Sequence, residues 1–206
     1  MKKIDFKKEL KSLYNSSARE AVVVDVPEMN FLMIDGAGHP GEGEEFQNAM
    51  EALYAVSYTL KFMIKKGTAP ADYVVMPPEG LWWTGEAGEF DVTKTDAWRW
   101  TLIIMQPEFV TRDLYTEAVE QVEKKKDPPA LSKMRFESFH EGLSVQIMHI
   151  GPYGDEGPTI AKLHQCAEAN GYAAAGKHHE IYLSDPRRTA PEKLRTIIRY
   201  PIGVAG

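Results

Sequence analysis

One cysteine, Cys166, is the entire thiol content of the chain. No disulfide can form within it, and a reducing, cytoplasmic setting is the expectation. Cys166 falls in a predicted helix and reads as a small packed residue. Long apolar runs are missing as well. None approaches the roughly 20 residues of a membrane helix, and the first eight residues hold no apolar stretch of signal-peptide length, so no membrane partner is expected. Positive charge is scarce: 24 Lys and Arg face 30 Asp and Glu, a net charge of −6. Binding phosphates needs a basic field, which argues against nucleic acid as the main partner. The local exceptions, Lys124-Lys125-Lys126 and Arg187-Arg188, read as solvated ends of elements.

Several catalytic signatures are also absent. The glycine-rich stretch Gly36-Ala37-Gly38-His39-Pro40-Gly41-Glu42-Gly43 lacks the Gly-x-Gly-x-x-Gly spacing. Glu42, Glu44 and Glu45 then open a helix, where acids complement the dipole and would repel a phosphate. No Gly-x-Ser-x-Gly occurs. No His-Glu-x-x-His or cysteine-rich spacing occurs either. His178 and His179 are adjacent on a predicted strand, so they point to opposite faces and cannot easily share one ion. Neither metal nor cofactor is expected.

What is present is a chain that repeats itself. Phe31 to Gly36 reads as a strand, followed by a glycine loop with Gly41 and Gly43, then a helix. Val145 to Gly151 reads the same way, followed by Asp155-Glu156-Gly157 and a helix. Downstream, Leu81-Trp82-Trp83-Thr84-Gly85 resembles Ile181-Tyr182-Leu183-Ser184-Asp185 at an offset of 100. Thr101 to Pro107 resembles Thr196 to Pro201 at an offset of 95. Four matches in one order indicate two β-α-β-β units.

The helix at about 44–65 carries Phe46, Met50, Leu53, Ser57, Leu60 and Ile64 on the 3.6-residue period. Ile160, Leu163 and Ala167 mark another at about 159–170. A third helix, at about 111–126, can be capped by Thr111 and is closed by Asp127-Pro128-Pro129. A hairpin follows, with strands at about 134–139 and 143–150. Residues 1 to about 20 carry no motif and read as an adaptable arm. The expected fold is α+β: two modules, at about 21–107 and 134–202, within a single domain spanning 21–206. A cleft between such units is a usual place for a small-molecule site.

Alternation on the strand around Glu180 puts His178, Glu180 and Tyr182 on one face, with Ile181 and Leu183 on the other. A carboxylate beside a phenol suits flat or cationic organic ligands. Two roles are open to Glu180: holding a ligand cation, or serving as a general base. Trp82, Trp83, Trp98 and Trp100 lie within twenty residues of one another. Trp98 and Trp100 are expected to share a strand face, and Trp82 corresponds to Tyr182 in the repeat. Trp82 is expected in the cleft and Trp83 on the helix side. Tyr54 and Tyr58 share a helix face and fit either core or cleft. Tyr153 sits at a strand-to-helix turn. His149 reads as a packing residue or a ligand contact.

Taken in order, these residues resemble the GyrI-like small-molecule-binding proteins. The resemblance rests on Gly36 with its loop and helix, on Glu79-Gly80-Leu81-Trp82-Trp83 and on Trp98-Arg99-Trp100. It continues in His149-Ile150-Gly151-Pro152-Tyr153 and in Gly176 to Pro186 running into Thr189 to Thr196, and so covers nearly everything from Ala21 onward. It implies paired β-α-β-β modules of the SHS2 type with antiparallel sheets around a central ligand cleft, and Glu180 as the characteristic ligand contact. Only about 20 residues precede the first strand, too few for the helix-turn-helix domain of the transcription activators in the family.

The tryptophan-rich variant resembles a subgroup that hydrolyses cyclopropane-bearing DNA-alkylating compounds in an aromatic cage. That resemblance implies Glu180 and Tyr182 as catalytic residues. Trp82, Trp98, Trp100 and Tyr153 would form the cage, with His149, Tyr54, Tyr58 and His178 nearby. The partner implied is a hydrophobic or planar small molecule. A non-catalytic sequestering module and a protein-interaction module are the alternatives, and the oligomeric state is left open.

Overall fold

The computed structural model describes residues 3–41, 43–68, 70–85 and 90–204. The first half contains β1 (Lys3–Ile4), α1 (Phe6–Glu9), α2 (Lys11–Tyr14), β2 (Val22–Val26), β3 (Met29–Ala37), α3 (Glu45–Lys66), β4 (Asp72–Tyr73), β5 (Pro78–Trp83) and β6 (Arg99–Gln106). The second contains α4 (Arg112–Lys125), β7 (Arg135–Phe139), β8 (Gly142–Ile150), α5 (Gly157–Ala169), β9 (Tyr172–Ala174), β10 (His178–Tyr182) and β11 (Arg195–Val204). The loop expected at 85–96 lies partly outside the described residues.

The periodic apolar residues make α3 a helix with one dry face. Ala49, Ala52, Leu53, Val56 and Leu60 are wholly buried, and the helix packs on β3 and β6. Each such side chain contributes about 1.5–3 kcal/mol when fully buried, with less for alanine. Lys65 and Lys66 sit in its last turn, where cations suit the dipole. α5 buries Leu163 and Ala167 against Val145, Ile147, Ile198 and Ile202. Thr111 caps α4 by accepting a hydrogen bond from the Leu114 N–H at 3.3 Å. At the β7–β8 hairpin Gly142 takes a φ of 73°, a left-handed conformation that glycine adopts without a Cβ penalty.

The α+β class holds, and the expected sheets are joined. β10 pairs with β5 in antiparallel register, Glu180 opposite Gly80 and His178 opposite Trp82. The strand order β2-β8-β11-β10-β5-β6-β3-β7 thus forms one open sheet, with β9 added to the far end of β11. α3 covers β3 and β6, while α5 covers β8, β9 and β11. The central strands β5 and β10 are left bare between the two helices, and that gap is the cleft.

Two expectations are corrected here. The helices lie on the cleft side of the sheet, not opposite it, so Trp83 points away from them. Its ring is half-buried beneath the Lys177 ammonium, 3.4 Å from the ring centre. Residues 3–20, expected as an adaptable arm, pack against the rest of the chain. Leu13 and Tyr14 are buried in the core, β1 pairs with β4, and the Met148 N–H donates to the Ser17 carbonyl at 2.8 Å. Residues 12–14 of this segment meet the back of the sheet, where Tyr14 donates to Glu79, and Arg199 and Gln146 donate to the Leu13 and Ser12 carbonyls. Four-residue helices are too short to display a period, so the segment read as featureless.

Candidate functional site

The cleft has a volume of about 1890 Å³. Its walls are Phe46, Met50, Tyr54 and Tyr58 from α3, and Ile160 and His164 from α5. Trp82, Glu180 and Tyr182 form its floor, and Phe90 and Trp98 approach from the β5–β6 connection. The volume exceeds the ~300–1,000 Å³ of an ordinary drug-sized pocket, leaving room for a large planar ligand.

Strand alternation brings His178, Glu180 and Tyr182 to the cleft face of β10, while His179 and Ile181 go to the back. The His178 Nε2 lies 2.7 Å from Glu180 Oε1. An ionised carboxylate only accepts, so this imidazole nitrogen is the donor. The Trp82 indole N–H donates to the Tyr182 hydroxyl at 3.0 Å. Trp82 meets Trp98 edge-on at 5.7 Å between centroids and stacks on Phe46 at 6.0 Å. Tyr153 stands edge-on to Tyr182 at 5.8 Å. Phe90 lies flat on the His178 ring at 4.9 Å. These approaches fall within the ordinary range for aromatic pairs.

Glu156, at the start of α5, is the functional candidate that the sequence reading missed. It is 5% exposed, and its Oε2 lies 3.9 Å from His178 Nε2. Burial, then the charge of Glu180 and a hydrogen bond to it, push the Glu156 carboxyl up to about 10. Burial would raise Glu180 as well, but hydrogen bonds from His178, Tyr182 and Glu156 outweigh it and hold its carboxyl below the usual range. The pair therefore carries one proton, on Glu156, and one negative charge, on Glu180. Glu156 Oε1 is buried with no hydrogen-bond partner among the described residues. That state is tolerable for a neutral acid and costly for an anion. The signal available in the sequence was an acid directly before Gly157-Pro158, at a helix start facing the predicted strand.

Glu156, His178 and Glu180 also place one ligand atom each within 4.8 Å of the others, a spacing open to a metal ion. Two ligands on one zinc sit about 3.3 Å apart when each bond is about 2.0 Å and the geometry tetrahedral. The 2.7 Å contact between His178 and Glu180 is shorter than that, and it is a hydrogen bond. The arrangement as it stands holds a proton.

Of the residues singled out from sequence, Glu180, Tyr182, Trp82, Trp98, Tyr153, Tyr54 and Tyr58 line the cleft. His178 sits one layer behind, covered by Phe90. Trp100 and His149 do not reach the cleft. Trp98 precedes β6 in a 3-10 turn, so strand alternation does not link it to Trp100. Trp100 is wholly buried and lies across Gly36 of the neighbouring strand, where a Cβ would come 2.1 Å from the ring. It supports Phe46 from below, edge-on at 5.5 Å. His149 spends both ring nitrogens on Thr159 and the Pro152 carbonyl, at 3.0 and 3.1 Å. It fixes the turn that delivers Tyr153 and Glu156.

Gly80 lies beneath the Trp82–Tyr182 bond. A Cβ there would stand 2.6 Å from Trp82 Nε1 and 2.9 Å from the Tyr182 hydroxyl. Gly80→Ala is expected to break that bond and to weaken binding of a planar ligand by about tenfold, with a cost of about 1–3 kcal/mol in stability. Titration of tryptophan fluorescence with ligand reads the first effect and thermal unfolding the second.

Comparison with known proteins places this geometry in company. The family model of the GyrI-like small molecule binding domain matches residues 20–202. The structure resembles that of an uncharacterised conserved protein from Listeria innocua, with 47% identity and a TM-score of 0.89, covering 98% of this chain and 100% of that one. It also resembles two structures of hydrolases from Listeria innocua. These show 46% and 45% identity and TM-scores of 0.88 and 0.85, and each comparison covers 98% of this chain and 100% of the other. The EcmrR C-terminal domain, at 13% identity and a TM-score of 0.56, shares the fold, over 90% of this chain and 98% of that one. A search of curated proteins gives no match.

Proposed function

Because the chain belongs to the GyrI-like small-molecule-binding domain family, we propose that its cleft takes up planar, hydrophobic xenobiotics. We further propose that it hydrolyses those bearing a strained, conjugated cyclopropane. The hydrolases from Listeria innocua at 46% and 45% identity support a hydrolytic role. The observation that carries the reading is the pair of buried carboxyls, Glu156 and Glu180, set beside His178 at an aromatic cleft.

Trp82, Trp98 and Phe90 hold the flat ring system, with Tyr153 at its edge. A water on Glu180 attacks the ring CH₂, and a C–O bond forms as a cyclopropane C–C bond breaks. The electron pair moves through the conjugated system to the carbonyl oxygen, which becomes a phenolate. Glu156 protonates that oxygen, and Glu180 takes the proton that water sheds. The hydrogen bond between the two acids then returns the proton to Glu156, which resets the pair. A buried site favours this because fixed donors act at low dielectric.

The test is to incubate the protein with a spirocyclopropane alkylator and follow products by mass spectrometry. Many equivalents of the water adduct are expected, with loss of turnover in Glu180→Gln and weakened binding in Trp82→Ala. Stoichiometric retention of the intact compound would instead make the protein a sequestering module. Full binding and turnover in both variants would refute the site.

A further inference from the structure

The helices that flank the cleft rest on β3, β6, β8, β9 and β11. β5 and β10 have to stay uncovered on that side to leave the cleft open. On the cleft side the two strands are tied by the Trp82–Tyr182 bond, and behind them the chain has buried an ion network. His179 is 1% exposed, one residue from Glu180 and on the opposite face. Its Nδ1 faces both oxygens of Glu141 at 2.9 and 3.0 Å, and its Nε2 faces Glu79 Oε2 at 2.9 Å. Both nitrogens meet carboxylates, so both carry protons. Arg199 donates to Glu141 at 3.0 Å, to the Gln146 side chain at 2.9 Å and to the Leu13 carbonyl at 2.9 Å. The Tyr14 hydroxyl donates to the other Glu79 oxygen at 2.8 Å, and the Gln146 amide donates to the Ser12 carbonyl at 2.8 Å. Two cations and two anions balance, and the N-terminal segment is bolted on by the groups that remain.

We propose that His179 is a positioning residue for the acid pair. Clamped between Glu79 of β5 and Glu141 beside β8, it fixes the two bare floor strands, and the N-terminal segment completes that clamp. The inference rests on the reading of Glu156 and Glu180 as the reacting pair. The side chain opposite Glu180 on β5 is the hydrogen of Gly80, so β5 offers Glu180 no side chain directly across the ladder, and the cleft-side tie between the two strands, Trp82 to Tyr182, lies beside it. Support from the back face passes through the strand backbone. The groups facing His179 are Glu79, Glu141, Arg199 and Tyr14. Burial lowers the basicity of His179, but the two glutamates outweigh it and raise it to about 9. The clamp holds through neutral pH and loosens above that value.

Two variants test this. His179→Gln keeps one hydrogen bond and removes the charge. Tyr14→Phe removes a single oxygen at the far end of the network. With both folded, as judged by cooperative thermal unfolding, kcat is expected to fall about tenfold while KM stays within about twofold. In the wild type the alkaline limb of kcat is expected near the His179 titration. In His179→Gln it moves up toward that of Glu156. A second readout needs no turnover: ¹³C NMR of glutamate-labelled protein follows the titration of the Glu156–Glu180 pair directly. Both variants are expected to shift that titration. If the spirocyclopropane is not turned over, the NMR arm still decides the inference. Wild-type carboxyl titration in both folded variants would overturn it, and so would unchanged kcat and an unchanged alkaline limb where turnover is seen.

Discussion

Glu156→Gln is expected to lower turnover by about 10²–10³-fold, the contribution of a positioned general acid, and to make the folded chain more stable above neutral pH. The two effects have one cause. Folding raises the Glu156 carboxyl from its ordinary 4.5 to about 10. A raised carboxyl binds its proton more tightly in the folded chain than in the unfolded one. Its stabilising contribution is whole below pH 4.5 and is lost as pH rises toward 10. At pH 8 the unfolded chain has released that proton and the folded chain has not. Holding it costs at most about 5 kcal/mol, at about 1.36 kcal/mol for each step of one in pH above the ordinary carboxyl range, less what solvent and the proton shared with Glu180 relieve. Glutamine carries no such cost. The gain from Glu156→Gln should be small at pH 5 and grow steadily to pH 8, as chemical denaturation at several pH values would record. A gain that does not change with pH would mean that Glu156 is ionised in the folded chain.

Arg199→Met should be the most damaging single change on the back of the sheet. It leaves Glu141 buried with only His179 to balance it and strips a donor from the Leu13 carbonyl. Removing one partner from a buried ion network costs about 3–5 kcal/mol, or roughly 10 °C in melting temperature for a chain of this size. Arg135→Met, on the same sheet, is the contrast. Arg135 and Asp35 are ion-paired at a partly exposed position, and such pairs contribute about 1 kcal/mol or less. The loss in Arg199→Met should also depend on pH. Glu141, held down to about 2 by His179 and Arg199 against its burial, gives stability that is whole above pH 4.5 and fades as pH falls through 2. His179, raised to about 9, gives stability that is whole below pH 6.5 and fades as pH climbs through 9. The network's contribution to wild-type stability should therefore be greatest between pH 4.5 and 6.5, and the loss in Arg199→Met should shrink below pH 4.5 as Glu141 takes up a proton. Equal melting temperatures for Arg199→Met and wild type in that window would disprove the role given to the network.

The sequence carried the helices and the acid of β10 because both follow from a period. α3 shows 3.6-residue spacing over six turns, and Glu180 follows from alternation over five residues. The Trp82–Tyr182 bond was foreshadowed by the offset of 100 between the repeats. What stayed illegible depends on contacts between strands. Trp100 is sealed because Gly36 lies opposite it on β3, a pairing that cannot be read without the register. Trp98 reaches the cleft because it sits before β6, in a turn whose residues do not alternate. Glu156 looked like one more acid at a helix start, since its role depends on where β10 passes. The N-terminal segment was unreadable for a related reason. It is held by Arg199 and Gln146, more than 130 residues away in sequence, and no local pattern announces a bond of that span.

The position of the single thiol bears on what the protein could survive. Cys166 lies on α5 with its sulfur 3.6 Å from the Ala21 carbonyl, on the flank of the helix that packs toward β2. The residues lining the cleft include the thioethers of Met50 and Met76 but not Cys166. A strained alkylating agent seated over Glu180 would find no thiolate to consume it. On the function proposed above, such a molecule would leave as an alcohol with no cysteine in the cleft to hold it as a thioether adduct.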